Sequence, residues 1–443
     1  MRCHIVACIL AGGAGTRLLP LTVHRAKPAV RFGGSYRLID LTLSNCVNSA
    51  VRTILVLSQY KAGSLEGHLR QGWSFLSQAR DADVRSIPPP PHVGPMGYRG
   101  TADAVYQNLA LLKRIAPAQV LILGGDHVYQ MDYRHLLQCH QARGADVTVA
   151  TVPVPRHQAS QFGIVTADPR GEVTSFLEKP REVSALPTQA PLVPASMGIY
   201  VFRFAVLREV LGEDAQQRST HDFGRDILPS LLGRYRVAAL PFVEGSDKVP
   251  AYWRDVGTID AYWEAHMDLV GPRPRFPLSP PHWPLRATPA HAASPTVVAP
   301  GDRDAGQGRG VTHSIIAPGC RLEGGRVERA ILSPGVWIEA EAQVQESILC
   351  DGVHIGRGAQ VRRAILDCGT VVPPGARIGF DPAADGAQYT VSDGGITVVG
   401  GEVPETRPVS RPHPSHAATT GWGGSRRSLR TMVPLGQEGN PCQ

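Results

Sequence analysis

The chain has 443 residues, 42% of them hydrophobic and 19% charged, a composition typical of a soluble globular protein with two or three domains. No window approaches eighteen consecutive apolar residues, so the sequence predicts no membrane-spanning helix. The formal charge of +7 is spread along the chain and suits anionic small molecules as well as nucleic acid. The N-terminus shows no secretory signal and the eight cysteines have no disulfide or metal-site spacing. Both observations predict a cytoplasmic protein with reduced thiols.

Short apolar strands and helical segments alternate over residues 1–270 and predict an α/β domain with a mostly parallel sheet. Buried parallel strands are expected at Ile5–Leu10, Ile54–Leu57 and Val120–Leu123. A helix is expected at Thr101–Leu112, capped by the Thr101 hydroxyl. Ligands in such a domain bind beyond the carboxyl ends of the strands, so the residues that follow each strand are the candidates for function.

A glycine-rich turn follows the first of these strands. It contains three glycines and a threonine: Gly12, Gly13, Gly15 and Thr16. Glycines lack a Cβ atom, which lets backbone N–H groups close around a phosphate. Arg17 follows directly and Lys27 comes ten residues later. Because an arginine and a lysine behind such a loop can neutralise the charge that develops in phosphoryl transfer, the turn predicts nucleotide chemistry with these two residues as catalytic candidates.

The turn matches neither of the two common nucleotide-binding motifs. A P-loop has a lysine and a serine or threonine directly after its last glycine, and a dinucleotide fingerprint has a third glycine where this chain continues with other residues. Most glycine-rich turns after a strand are only turns, so the functional interpretation depends on residues elsewhere in the chain.

Two aspartates, Asp126 and Asp255, are candidate metal ligands. Asp126 follows a buried strand and two glycines, and Asp255 lies between aromatic residues and a turn. Mg²⁺ prefers a few carboxylates together with substrate phosphates. Each aspartate alone is more often a cap or a turn residue, so the predicted magnesium site rests on their occurrence together with the phosphate loop.

Four further residues are typical of a site for a sugar phosphate. Tyr98 precedes the predicted helix and offers a flat face to a base or a sugar. Lys179 can pair with a substrate phosphate, and Glu178 and Ser196 can hydrogen-bond to sugar hydroxyls. Taken singly, each of these residues is as often a core side chain, a surface ion pair or the end of a strand.

The chain changes in character after residue 270. Residues 271–298 are proline-rich and are expected to form a linker. Within residues 299–402, the isoleucines Ile331, Ile348 and Ile365 are separated by 17 positions, and apolar residues recur between them every five or six positions. This spacing predicts a parallel β-helix with three short faces in each coil, with ordinary hairpins as the alternative. Residues 403–443 are expected to be disordered.

Nine segments carry a resemblance to a known family: Leu10–Leu18, Arg25–Asp40, Leu43–Asn48, Tyr98–Asn108, Gly125–His127, Glu178–Pro180, Ser196–Phe202, His221–Gly224 and Trp253–Thr258. Over about residues 3–400 the chain resembles the glucose-1-phosphate adenylyltransferases of the bacterial glycogen pathway, also called ADP-glucose pyrophosphorylases. The segments LSNC at Leu43–Cys46 and YRGTADAV at Tyr98–Val105 are the most specific to this family. The glycine-rich turn alone would suit the whole superfamily of sugar nucleotidyltransferases.

The resemblance implies a Rossmann-like nucleotidyltransferase domain followed by a left-handed parallel β-helix of hexapeptide-like repeats. It implies adenylyl transfer from ATP to α-D-glucose 1-phosphate with Mg²⁺, with Arg17, Lys27 and Asp126 as catalytic residues and Asp126 and Asp255 as metal ligands. The nucleotide would lie against the turn, contacting Leu10, Gly12, Gly13, Gly15, Thr16 and Arg17. Glucose 1-phosphate would contact Tyr98, Gly163, Glu178, Lys179 and Ser196. A homotetramer is implied, with no nucleic-acid or membrane partner.

Regulation is the part in which the chain departs from the family. Well-studied bacterial members have a lysine that binds a sugar bisphosphate activator where this chain has His24. Cys368 stands where those members have an arginine that helps to bind the AMP inhibitor, and Arg225 replaces the usual lysine. We therefore expect an anion effector site, but neither activation by fructose bisphosphate nor strong inhibition by AMP. The basic residues that match or replace positions of the effector site are Arg25, Arg31, Arg37 and Arg114.

The sequence leaves two other functions open. One is a sugar nucleotidyltransferase that uses UTP, dTTP or GTP, against which the two most specific segments argue. The other is a non-catalytic regulatory subunit. Such chains tend to lose the phosphate-loop arginine, the lysine or a metal aspartate, whereas Arg17, Lys27, Asp126 and Asp255 are all present here.

Overall fold

The computed structural model describes residues 4–76, 83–94, 96–182, 186, 188–244, 249–278, 280–286, 296–298 and 310–400. The predicted disordered segment 403–443 and part of the predicted linker lie outside these residues. Among the helices of the described residues, none has the length and apolar character that a membrane span needs.

The first part of the chain alternates strands and helices. Its strands are β1 (Ile5–Ala11), β2 (Arg31–Phe32), β3 (Tyr36–Arg37), β4 (Thr53–Ser58), β5 (Asp83–Ile87), β6 (Gln119–Gly124), β7 (His127–Tyr129), β8 (Val147–Pro155), β9 (Gly163–Ala167), β10 (Val173–Glu178), β11 (Leu192–Arg203), β12 (Val237–Pro241), β13 (Val243–Glu244), β14 (Val249–Pro250) and β15 (Trp253–Asp255). Its helices are α1 (Leu38–Asn48), α2 (Ala62–Gly72), α3 (Thr101–Tyr106), α4 (Leu109–Ile115), α5 (Tyr133–Ala142), α6 (Phe204–Asp214), α7 (Leu228–Leu231) and α8 (Ile259–Met267).

A large sheet with the order β10-β9-β11-β6-β1-β4-β5 lies at the centre of this part, and β8 pairs with β11 and β12. The three predicted strands are neighbours, because β1 is parallel to both β4 and β6. Alternate residues of β1 enter different core clusters, with Ala7 and Ile9 in one and Val6 and Cys8 in the other. Burial on both faces explains why the strand is apolar throughout. The predicted α/β domain is confirmed, with β11 added antiparallel to β6.

The single helix predicted at Thr101–Leu112 is two helices, α3 and α4, and the predicted Thr101 cap is wrong. The residue before α3 is Gly100, and the Thr101 hydroxyl instead donates to Asp222 at 3.0 Å. The start of α3 is fixed by tertiary contact, because the Ala102 N–H donates to the His221 carbonyl at 2.8 Å. A Cβ atom on Gly100 would lie 2.3 Å from that carbonyl oxygen, so only glycine fits there.

Within the described residues, the second part of the chain consists of short strands and one short helix. They are β16 (Thr296–Val298), β17 (Gly310–Thr312), β18 (Ser314–Ile316), β19 (Arg321–Leu322), β20 (Arg326–Glu328), β21 (Ile331–Leu332), β22 (Trp337–Ile338), β23 (Gln343–Gln345), β24 (Ile348–Leu349), β25 (His354–Ile355), β26 (Gln360–Arg362), β27 (Ala364–Leu366), β28 (Val371–Val372), β29 (Arg377–Ile378), α9 (Pro382–Gly386), β30 (Thr390–Val391) and β31 (Thr397–Val399).

These strands form the predicted parallel β-helix, and the 17-residue spacing is the length of one coil. Ile331 pairs with Ile348 and Ile348 with Ile365, each one coil further on. The recurring apolar residues fill the interior and are at most 3% exposed: Leu332, Ile338, Val344, Leu349, Ile355, Val361, Leu366, Val372 and Ile378. Three sheets form the three faces, and their strands are parallel except at the two ends of one sheet, where β16 and β30 pair antiparallel. The predicted fold class is therefore confirmed, and the alternative of ordinary hairpins is wrong.

The β-helix packs directly against the sheet domain. Ile331, Ile348 and Ile365 share a core cluster with Leu18 and Tyr262 of the first part. The isoleucine of each repeated Ile-Leu pair therefore faces the other part of the chain, and the leucine faces the interior of the coil. This contact holds the segment after the glycine-rich turn between the two parts.

Candidate active site

A cavity of about 480 Å³ opens at the carboxyl ends of β1 and β6. Most of the predicted site residues line it: Leu10, Gly12, Gly13, Arg17, Lys27, Tyr98, Asp126, Glu178, Lys179 and Asp255. These residues come from segments more than 200 positions apart in the chain. The parallel sheet brings them together because the carboxyl ends of its strands share one edge.

Lys27 and the two predicted metal ligands form one cluster. The Lys27 Nζ atom lies 2.6 Å from Asp126 Oδ2 and 3.7 Å from Asp255 Oδ1. Asp255 reaches this position because β15 pairs antiparallel with β7, which places it opposite His127. Burial opposes the charge on Lys27, but the two carboxylates outweigh that effect and raise the pKa of the ammonium group.

The glycine-rich turn forms another part of the cavity wall. Arg17 lies in a 3-10 turn, Thr16–Leu18, and its guanidinium lies beside Gly257, where a Cβ atom would come within 3.0 Å of Arg17 Nη2. Gly15 has φ 66°, which favours glycine, and its carbonyl accepts a hydrogen bond from Thr22 at 2.8 Å. Gly15 and Thr16 therefore shape the turn from behind the wall of the cavity.

Glu178 and Lys179 stand at the end of β10, on another side of the same cavity. Two glycines make room for the Glu178 carboxylate, since a Cβ atom would lie 2.7 Å from Glu178 Oε2 at Gly163 and 2.4 Å from it at Gly224. Burial, aided by the nearby charge of Asp222, raises the pKa of Glu178, although Lys179 opposes the shift. The Lys179 side chain is exposed, and its Nζ atom lies 3.3 Å from Glu178 Oε1. Its left-handed φ of 47° is uncommon for a lysine and sets the direction of the side chain.

Tyr98 and Ser196 are held in place by hydrogen bonds to their neighbours. The Tyr98 hydroxyl donates to the Ile87 carbonyl at 3.3 Å and accepts from Asn108 Nδ2 at 3.1 Å. Ser196 Oγ lies 3.2 Å from the Tyr200 hydroxyl and accepts from the Gly198 N–H at 3.3 Å. Tyr200 and Gly198 line the cavity. Ser196 therefore contacts two residues of the cavity wall from behind, and Gly163 likewise lies behind Glu178.

Several residues that line the cavity received no role from the sequence, among them Gln59, His127, Tyr200, Asp222 and Gly224. Gln59 follows β4 directly, so the rule that singled out Asp126 at the end of β6 would also have found it. The Gln59 Oε1 atom accepts from the Tyr98 N–H at 2.7 Å. Asp222 caps the turn after it by accepting from the Gly224 N–H at 2.9 Å. It lies in the family segment His221–Gly224, but the sequence did not indicate this role for it.

The four predicted effector arginines occupy two regions. Arg25, Arg31 and Arg37 lie near one another at the contact with the β-helix, where Arg25 pairs with Asp367 at 2.7 Å and Arg31 pairs with Asp351. The Arg37 Nη1 atom donates to the Ala29 carbonyl at 2.6 Å. The fourth arginine, Arg114, is exposed in the last turn of α4, whose buried leucines belong to a different core cluster.

Comparisons with known proteins agree with this architecture. The family model described as nucleotidyl transferase matches residues 6–271, and the model described as GlmU-like, C-terminal hexapeptide matches residues 299–399. Fold and site thus define a nucleotidyl transferase that carries a C-terminal hexapeptide domain.

Similar curated proteins narrow this class. A protein named glucose-1-phosphate adenylyltransferase from Koribacter versatilis is 44% identical over 396 residues, which cover 88% of this chain and 94% of that protein. Glucose-1-phosphate adenylyltransferase 2 from Vibrio parahaemolyticus is 47% identical over 399 residues, with 89% and 98% covered. Glucose-1-phosphate adenylyltransferase from Dechloromonas aromatica is 44% identical over 402 residues, with 90% and 91% covered. The chain belongs to the glucose-1-phosphate adenylyltransferase family, which confirms the family assigned from the sequence.

Proposed function

We propose that this protein transfers the adenylyl group of ATP to α-D-glucose 1-phosphate, forming ADP-glucose for glycogen synthesis and releasing pyrophosphate. One observation carries the proposal. A single cavity holds the glycine-rich turn with Arg17 and Lys27, two converging aspartates, and the Glu178–Lys179 pair. The names of the relatives supply the identity of the two substrates.

The reaction needs no nucleophile from the protein. An oxygen of the sugar phosphate attacks the α-phosphorus of ATP, and the bond from that phosphorus to the bridging oxygen breaks as pyrophosphate departs. Arg17 and Lys27 bind the triphosphate and stabilise the negative charge that develops in the transition state. The rate enhancement then comes from positioning the two substrates in line and from charge stabilisation.

Nucleotidyl transferases generally use a divalent metal ion, and we propose Mg²⁺ held by Asp126 and Asp255. The residues fit this ion, because two carboxylates converge on one positive group, the ammonium of Lys27, and oxygen ligands suit Mg²⁺. When bound, the ion supplies charge neutralisation on the triphosphate. Lys27 remains within reach of the same phosphates.

The opposite side of the cavity suits the sugar phosphate. Lys179 has an exposed ammonium group that can bind the phosphate. Glu178 can accept hydrogen bonds from glucose hydroxyls, and the Tyr98 ring lines the same cavity. Ser196 and Gly163 support this surface from behind. In this arrangement the phosphate of the sugar points to the glycine-rich turn, where the triphosphate of ATP binds.

We further propose that the protein works in the cytoplasm as a homotetramer and that an anionic effector binds near Arg25, Arg31 and Arg37. The effector proposal is supported by the Arg37 Nε atom, which is buried without a hydrogen-bond partner among the described residues. Burial, and after it the nearby charge of Arg31, lowers the pKa of Arg37. A bound anion would accept a hydrogen bond from the Arg37 Nε–H group and would offset the repulsion between Arg31 and Arg37.

The deciding experiment measures pyrophosphate release from ATP and glucose 1-phosphate with Mg²⁺. Wild type is expected to be active, Asp126→Ala to be inactive, and the matched control Asp168→Ala to keep the wild-type rate, because Asp168 lies in an exposed turn outside the cavity. A panel with UTP, dTTP and GTP tests the nucleotide. An inert wild type, full activity of Asp126→Ala, or a preference for another nucleotide would overturn the proposal.

A further inference from the structure

Two cysteines lie together at one corner of the β-helix. Cys350 follows β24, and Cys368 lies in the turn after β27, one coil further on. The Sγ atoms of both cysteines and a carboxylate oxygen of Asp367 lie within 4.8 Å of one another. Because Leu349 pairs with Leu366, Cys350 is stacked on Asp367, and Cys368 lies diagonally across from it.

The two thiols have different surroundings. Cys350 is buried, whereas Cys368 is exposed. The Arg25 Nη1 atom lies 3.6 Å from the Cys368 Sγ atom. A hydrogen bond from Cys350, together with the charge of Arg25, lowers the pKa of Cys368 to about 7, while the pKa of Cys350 is raised well above its ordinary value. The exposed sulfur is thus the nucleophile, and the buried one stays a thiol.

The cluster is poorly suited to a metal ion. Both carboxylate oxygens of Asp367 accept hydrogen bonds from Arg25, at 2.7 and 3.2 Å. Only two thiols then remain as ligands within the described cluster, whereas a structural zinc site takes four. Two neighbouring thiols of unequal acidity are instead the usual arrangement of an oxidisable pair.

We propose that Cys350 and Cys368 form a reversible disulfide bond within the chain and that this bond shifts the segment that carries Lys27. The oxidant is a peroxide. The Cys368 thiolate attacks one peroxide oxygen, the O–O bond breaks, and the departing hydroxide takes up a proton to leave as water. The resulting sulfenic acid is attacked by the Cys350 sulfur, the S–S bond forms, the S–O bond breaks, and the departing hydroxide takes the Cys350 proton to leave as a second water. Two thiols are oxidised by two electrons, and one hydrogen peroxide is reduced to two waters.

The link to the active site is a pair of salt bridges. Each cysteine is adjacent in sequence to an aspartate that anchors the first part of the chain: Asp367 binds Arg25, and Asp351 binds Arg31. These two arginines bracket Lys27 in the sequence. Because the sulfurs must approach each other to bond, the two corner turns move, and the aspartates move with them. The Lys27 ammonium group then leaves its position between Asp126 and Asp255.

Bond formation is tested on the full-length protein. Wild type is treated with hydrogen peroxide, denatured, alkylated and digested, and the masses of the peptides are measured by mass spectrometry. The expected result is one linked pair of peptides containing Cys350 and Cys368, which dithiothreitol separates. Cys368→Ser, at an exposed position, must lose the linked peptide, and the control Cys320→Ser must keep it. Complete alkylation of both cysteines after peroxide, or a link from Cys368 to another cysteine, would overturn the proposal.

The second readout is the rate of adenylyl transfer, and this arm alone rests on the proposed function. Peroxide is expected to lower the rate severalfold in wild type, dithiothreitol to restore it, and Cys368→Ser to be unaffected by either. A linked peptide with an unchanged rate would show that the bond does not move Lys27 and would overturn that half of the proposal. If the untreated protein is inactive, the proposed function fails, while the peptide measurement still decides whether the bond forms.

Discussion

The Nζ atom of Lys27 lies 2.6 Å from the Oδ2 atom of Asp126, directly beyond the end of the central strand β6. Burial opposes the charge on Asp126, but Lys27 and His127 outweigh burial and hold the pKa of this carboxyl below its ordinary value. The aspartate is therefore ionised at neutral pH. An ionised carboxylate is the form that a metal ion or an ammonium group requires, so the pair keeps the site charged and ready for a triphosphate.

The first prediction concerns the pH dependence of stability in Asp126→Asn. A lowered pKa in the folded state contributes stability above the unfolded pKa and loses it as the pH falls through the folded pKa. The variant should therefore melt about 1–3 °C below wild type at pH 7, and the gap should shrink as the solution becomes acidic. Calorimetric melting curves from pH 7 down to pH 3 measure it. A gap that stays constant with pH would contradict the assigned ion pair.

Glu178→Gln should change the melting temperature at pH 7 in the opposite direction. The pKa of Glu178 is raised, chiefly by burial, so ionising this carboxyl costs stability as the pH rises from the unfolded pKa through the folded one. At pH 7 the glutamine variant should melt about 1–3 °C above wild type, while at a pH below the unfolded value the two should coincide.

The same variant should bind glucose 1-phosphate more weakly, because it loses a charged hydrogen-bond acceptor, and its KM for this substrate should rise about tenfold. Steady-state kinetics with the exposed Glu172→Gln as the matched control measure the effect. If Glu178→Gln neither stabilises the protein nor raises KM, Glu178 does not contact the sugar.

The strands and the coil length could be predicted because they depend on local patterns. The β1 run from Ile5 to Leu10 is apolar at every position since both of its faces are buried, and this shows in the sequence directly. The 17-residue spacing of Ile331, Ile348 and Ile365 follows from the stacking of identical coils. In both cases the spacing of apolar residues along the chain is enough to predict the structure, without knowledge of distant contacts.

The other features depend on contacts between distant segments and leave no local signal. The failed Thr101 cap follows from the contact of Gly100 with the His221 carbonyl, 121 positions away. The contact between Gly100 and His221 also places the next residue, Asp222, in the wall of the cavity. The pairing of Arg25 and Arg31 with the β-helix likewise arises only when the two parts of the chain are docked. The residue types at the site could be identified from the sequence, but their partners could not.

Gly224→Ala tests whether the space beside Glu178 matters for the sugar site. A Cβ atom at position 224 would lie 2.4 Å from Glu178 Oε2, so the carboxylate must move away. We expect the KM for glucose 1-phosphate to rise about tenfold while the KM for ATP changes little. The matched control is Gly212→Ala in α6, where a Cβ atom meets open space and should stabilise the helix by about 0.5–1 kcal/mol. Equal changes in both KM values would assign Gly224 a purely structural role.

The last prediction concerns the arginines at the contact with the β-helix. Arg31 is paired with Asp351 and Arg25 with Asp367, so an anion that binds there competes with carboxylates already in place. Asp351→Asn removes one competitor and makes the local potential more positive.

For a partly exposed pair, this change should tighten the binding of inorganic phosphate about 2–5-fold, measured by titration calorimetry at low ionic strength. Asp381→Asn is the matched control, because asparagine keeps the cap of α9 and removes the same charge at an exposed position. If both variants tighten phosphate binding equally, the effect is one of net charge. If Asp351→Asn leaves it unchanged, the anion binds away from Arg31, which places the effector site elsewhere on the protein.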